Sequence, residues 1–192
     1  MKSGHYFSLL GVIFFSAIMP VSVAISATVA DWQWIKDSYW YVPKTNLPAL
    51  RFNAIKGTVA PVSDQTVFHI SDYVDGYFWG KTVVKLGQGS AKCMSLVGSV
   101  TPEGSVLLSF TPTDATADSA VTQGIGTMIQ KAGEWTMQNQ MSSGSALLQV
   151  SHWAYMVQTG PGKQSWLSLP GVGQSVETFL AQCPDGPQRT VR

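Results

Sequence analysis

The sequence predicts an all-β fold: an eight-stranded antiparallel up-and-down barrel with a short C-terminal helix. Three observations carry that reading. Runs of alternating β-branched, aromatic and polar residues, bounded by Gly-, Pro- and Asp-rich corners, recur from Lys36 almost to the C-terminus, which is the local signature of antiparallel strands. Most runs have one apolar and one wettable side. An open meander of eight would leave two raw edges, and closure into a barrel removes them.

Residues 1–30 stand outside the fold as a secretory signal peptide. Lys2 and His5 form a polar start, Phe7–Met19 is nearly unbroken apolar chain, and small residues follow at Ser22-Val23-Ala24 and Thr28-Val29-Ala30. Cleavage is expected before Ile25 or Asp31. The alternative is an uncleaved signal anchor, but Pro20, Ser22 and Ser26 interrupt the apolar stretch and no basic cluster follows it. No stable membrane span is expected after cleavage. About 160 residues remain, enough for one domain with its own core, here assigned to residues 31–184 with a disordered tail over 185–192.

The first strand falls within Lys36–Pro43 and ends where proline removes a ladder donor. Lys44–Ser63 holds Pro48, Gly57 and Pro61, and a connection of about 20 residues reads as a lid or Ω-type loop. Gln65–Ile70 and Tyr77–Leu86 form a hairpin about Tyr73–Gly76. Gly87–Ser90 turns into Lys92–Val100, Thr101–Gly104 is a β-turn, and Ser105–Thr111 returns. After the polar stretch Thr113–Ser119 come Val121–Gln130, a tight turn at Lys131–Gly133, and Glu134–Met141. A turn at Ser142–Gly144 leads to Ser145–Met156, the eighth strand. Val176, Phe179, Leu180 and Cys183 share one face of a helix over Ser175–Cys183, which Pro184 stops.

Alternation assigns the faces. Phe78, Gly80, Thr82, Val84 and Leu86 oppose Lys81 and Lys85; Met94, Leu96 and Val100 oppose Cys93, Ser95 and Ser99; Trp135, Met137 and Met141 oppose Glu134, Thr136, Gln138 and Gln140. Cys93 therefore points outward, where a helix carrying Cys183 could dock. In an oxidising compartment this pair of cysteines is expected to bond, the alternative being two buried free thiols. Closing so long a loop is worth roughly 4 kcal/mol on the chain-entropy model.

Eight short strands with Trp40 in the first, a long first connection and a C-terminal helix together resemble a calycin, the lipocalin/avidin superfold. The segment Gly124–Trp135 followed by Leu147–Tyr155 has the small-then-aromatic rhythm of such barrels, and a disulfide tying the C-terminal segment to the barrel is similar to many lipocalins. The resemblance implies topology alone. Lipocalins carry Gly-x-Trp on the first strand, where this chain has Ser38-Tyr39-Trp40, and no functional residue carries over.

Charge excludes some partners. Of the 12 Lys and Arg, Lys2 lies in the leader, which leaves 11 against 11 Asp and Glu. Without a basic excess or stripe, no nucleic-acid partner is expected. Two cysteines with no nearby histidine make no ordinary zinc site, and no cofactor or metal is implied. Gly80-Lys81-Thr82 lies in a strand and lacks the glycine that a phosphate loop requires. His69 and His152, beside Asp72 or Ser151, are the candidate acids or bases of a calycin-like isomerase, although a lone histidine in a strand is more often a satisfied structural residue.

The expectation is a secreted or periplasmic barrel that binds a small apolar ligand, more a binder than an enzyme. Its candidate lining is Phe78, Val84, Met94, Leu96, Phe110, Met137 and Met141, since these lie on faces without charge and an eight-stranded barrel just holds one small molecule. The alternative is a protein-interaction or inhibitor module with a filled barrel.

Overall fold

The computed structural model describes residues 31–43, 48–116, 119–145 and 147–187. Residues 1–30, expected to be a leader, and 188–192, the end of the expected tail, lie outside the described residues. The strands are β1 (Ser38–Tyr41), β2 (Ala49–Asn53), β3 (Thr58–Val62), β4 (Asp64–Val74), β5 (Tyr77–Leu86), β6 (Lys92–Val100), β7 (Ser105–Pro112), β8 (Thr122–Lys131), β9 (Glu134–Gly144) and β10 (Leu148–Thr159). Two short helices, α1 (Gln164–Leu167) and α2 (Val176–Leu180), follow them. Every pairing is antiparallel, and β1 bonds both β4 and β10. The order β1-β4-β5-β6-β7-β8-β9-β10 therefore closes into the expected eight-stranded barrel.

Turn chemistry sets the hairpins. Asp75 and Gly76 both take positive φ, 49° and 88°, the twist that a two-residue hairpin turn requires. Ala132 and Gly133 repeat it at 52° and 81°, with alanine accepting a conformation that suits glycine better. The turn expected at Ser142–Gly144 falls later. β9 runs on to Gly144, and Ser145 makes the turn by accepting the Leu147 and Leu148 amides on Oγ, each at 3.3 Å.

The lid expected over Lys44–Ser63 is instead a hairpin, as far as its residues are described. Gly57, at φ 60°, supplies the turn between β2 and β3. Pro61 is tolerated because β3 is an edge strand and needs no further donor. β2 pairs with Leu148–Ser151, the first third of β10, while β1 pairs with Val157–Thr159 at its end. β10 thus shares one edge between two short strands. Beyond Tyr41, where β1 stops, β4 and β10 face each other at the mouth with no ladder joining them.

One barrel end is sealed. Trp32 caps the 3-10 turn Gln33–Ile35, Trp34 lies within it, and the two meet Trp135 at 5.2 and 5.4 Å between ring centroids. Trp32 Nε1 donates to the Thr101 carbonyl at 2.9 Å, which satisfies the one polar atom of a ring that is nearly fully buried. Above this plug lies a packed layer of Trp40, Phe68, Ile70, Phe78, Leu96, Leu108, Met137 and Met156, each fully buried. Position 98, inward by alternation with Leu96 and Val100, is glycine because a Cβ would run into the Phe78 ring.

A second core lies outside the wall. Val67 and Val83 face outward from β4 and β5 and are covered by Trp166, Leu169, Val176, Phe179 and Leu180. The helix expected over Ser175–Cys183 is shorter, and α1 adds a turn that the glycine- and proline-rich segment had hidden. Ser175 caps α2 by accepting the Thr178 amide at 3.1 Å. Cys93 and Cys183 are bonded with their Cα atoms 5.4 Å apart, which fastens this layer to β6. Past Pro184 the chain still touches the wall, with Asp185 3.2 Å from Lys81.

Candidate functional site

With one end plugged, the other holds a cavity of about 620 Å³. Its size falls in the usual range for small organic ligands. Phe68 and Phe110, 5.2 Å apart, belong both to its lining and to the packed layer beneath, so they form its floor. Val84, Met94, Met141 and Val150 line the walls, and Ala49 of β2 adds to the side that β1 leaves open. Lys92, Asp114 and Ser119 stand among the residues bordering the cavity.

Of the seven residues singled out in the sequence, Val84, Met94, Phe110 and Met141 border this cavity. Phe78, Leu96 and Met137 sit fully buried in the layer that includes its floor. All seven point inward. What separates them is height along the barrel, which alternation does not report.

The cavity also holds a feature that sequence reasoning missed. Asp64, the first residue of β4, and His152 of β10 meet across the gap beyond β1, with His152 Nδ1 3.4 Å from Asp64 Oδ2. Both line the cavity, and their side chains are only 1% and 6% exposed. Asp64 Oδ1 accepts the Thr66 hydroxyl at 2.7 Å. Asp64 Oδ2 has no aligned hydrogen-bond donor despite the nearby imidazole, so the histidine contact is a close approach rather than a formed hydrogen bond. Burial pushes the Asp64 carboxyl above the usual carboxylate range, and the His152 charge and the Thr66 hydroxyl pull it back in part. One signal was available in the sequence: His152 shares its parity with Val150, Ala154 and Met156, and Asp64 with Thr66 and Phe68.

His69 lies elsewhere. It points outward from β4 and stacks on Tyr39 with centroids 4.3 Å apart and rings 5° from parallel. Burial lowers its pKa below the ordinary value; Asp37 and Asp185 oppose this in part and Lys81 adds to it. The wall separates it from the cavity, and its ring has a stacking partner. Asp72 pairs with Lys36 at 2.9 Å on the far side of the barrel from the mouth. Two further buried polar atoms without hydrogen bonds, Thr82 Oγ1 and Asn139 Oδ1, do not border the cavity.

Among the described residues no cluster of three or more histidine, cysteine or acidic side chains could hold a metal ion. Nor, among them, is any helix long and apolar enough to cross a membrane. No family model, curated protein or solved structure matches the chain. The closed eight-stranded barrel is thus like that of the calycins at the level of topology, and its function has to be argued from the site.

Proposed function

We propose that the protein binds a small, largely apolar ligand in the open end of its barrel, outside the cytoplasm. The observation that carries this is the asymmetry of the interior: a tryptophan plug at one end and an unfilled cavity lined by Val84, Met94, Phe110 and Met141 at the other. Methionines suit such a wall because an unbranched thioether adapts to different shapes. Export is supported by the signal-like leader and by the disulfide, a bond characteristic of oxidising compartments. Titration with an environment-sensitive apolar fluorophore tests the reading: saturable uptake at one site is expected, and its absence overturns it. N-terminal sequencing of exported protein should begin at Ile25 or Asp31; intact Met1 on membrane-bound protein would refute export with cleavage.

A second reading, an interaction module, has its own support. The outer wall from β6 to β10 exposes Val97, Leu107, Ile125 and Trp153 among serine, threonine and glutamine, and among its outward-facing described strand residues only Lys131 and Glu134, at one corner, are charged. Failure of ligand uptake would make that surface the better guide to function.

A further inference from the structure

The cavity contains a buried acid with an unmet hydrogen-bond requirement, and this bears on which ligands it suits. The argument rests on the ligand-binding reading above. Among the described residues three buried side-chain polar atoms lack a hydrogen bond, and of these Asp64 Oδ2 alone belongs to a residue bordering the cavity. Its sister oxygen is already occupied by Thr66. The apolar surface of Phe68, Val84, Met94, Phe110 and Met141 completes a site with one polar corner.

We propose that the cavity selects an apolar molecule bearing a single protonated amino group, with the ammonium donating to Asp64 Oδ2 and the apolar body lying along the methionine-lined wall. The chemistry of the corner separates three classes of head group. A carboxylate head would bring a second negative charge against Asp64, with Asp114 also bordering the cavity. A hydroxyl head would satisfy Oδ2 without adding charge. An ammonium supplies both a donor and the compensating charge, and charge-assisted hydrogen bonds are about twice as strong as neutral ones.

The groups facing Asp64 also determine the proton balance. Thr66 on its own strand is neutral; His152 on β10 is the titratable neighbour; Lys92 on β6 and Asp114 beyond β7 border the cavity with opposite charges. Burial favours the protonated Asp64 carboxyl, and where that proton is present an ammonium that takes over Oδ2 displaces it to solvent. Charge balances: one cation enters the site and one proton departs.

The test is calorimetric titration of the purified protein with decylamine, 1-decanol and decanoate, which share one apolar body. Decylamine should bind at least about tenfold more tightly than decanol, and decanoate more weakly than either. At a pH where Asp64 starts protonated, the decylamine heat should vary with the ionisation enthalpy of the buffer, reporting the displaced proton. Asp64→Asn should bring decylamine down to the level of decanol. Equal affinity for amine and alcohol, tightest binding of decanoate, or an amine preference that survives Asp64→Asn each overturn the inference while leaving the cavity reading standing. If none of the three binds, the cavity reading falls, and the head-group inference with it.

Discussion

Filling the barrel from two heights separates its packed layer from its cavity. Met137 is fully buried in the layer beside Phe78 and Leu96, whereas Met141, two inward positions along the same strand, borders about 620 Å³ of unfilled space. Met137→Trp forces an indole into an interior already at packing density, where overpacking costs about 1–3 kcal/mol. For a domain of this size that lowers Tm by roughly 2–12 °C. Met141→Trp can extend its ring into the cavity, and its Tm should stay within about 2 °C of the wild type. The functional readout runs the other way: Met141→Trp should abolish uptake of an apolar probe, and Met137→Trp, at temperatures where it remains folded, should keep it. Thermal melts and probe titrations on both variants are sufficient. A cost-free Met137→Trp, or a Met141→Trp that destabilises and still takes up the probe, would refute this account of the interior.

Three further outcomes follow from the same geometry. Reduction of the disulfide, or Cys183→Ser, removes a crosslink spanning 90 residues and should cost roughly 4 kcal/mol, seen as a large fall in Tm; an unchanged melt refutes the stabilising role, and free thiols in the unreduced, denatured protein refute the bond. Trp32→Ala opens the plugged end and should cost about 3–5 kcal/mol in a denaturant melt, and a change within experimental error would mean the indole is not part of the core. Burial raises the folded Asp64 carboxyl, so the stability from its protonated form is full below about pH 3.9 and is lost as pH rises through the raised value. Asn cannot ionise, so the Tm of Asp64→Asn relative to wild type should climb from about pH 4 upward; a relative fall over that range contradicts the sign of the shift.

Much of the architecture was legible because strand patterns are local. Alternation placed Phe78, Met94, Leu96 and Met137 on the inner face and Cys93 on the outer one, and α2 and the segment after it that carries Cys183 dock against that outer side. The hairpin β2–β3 was misread as a lid because Gly57 and Pro61 break structure in general, yet one suits a turn and the other an edge. Which strand lies at an edge depends on pairing, and pairing is not a property of a segment.

By itself, the sequence determined the strand faces, the number of strands in the barrel and the outward aim of Cys93, since side chains alternate with period two whatever the strand pairs with. Only the tertiary structure decided that Val84, Met94, Phe110 and Met141 border a cavity while Phe78, Leu96 and Met137 fill a layer, because height in a barrel follows from the stagger of neighbouring strands. It also decided that Asp64 meets His152. These residues lie at the start of β4 and within β10, and they touch because β1 is too short to separate their strands at the mouth. Contact between residues so far apart in sequence arises from closure of the sheet, to which neither strand contributes a local pattern.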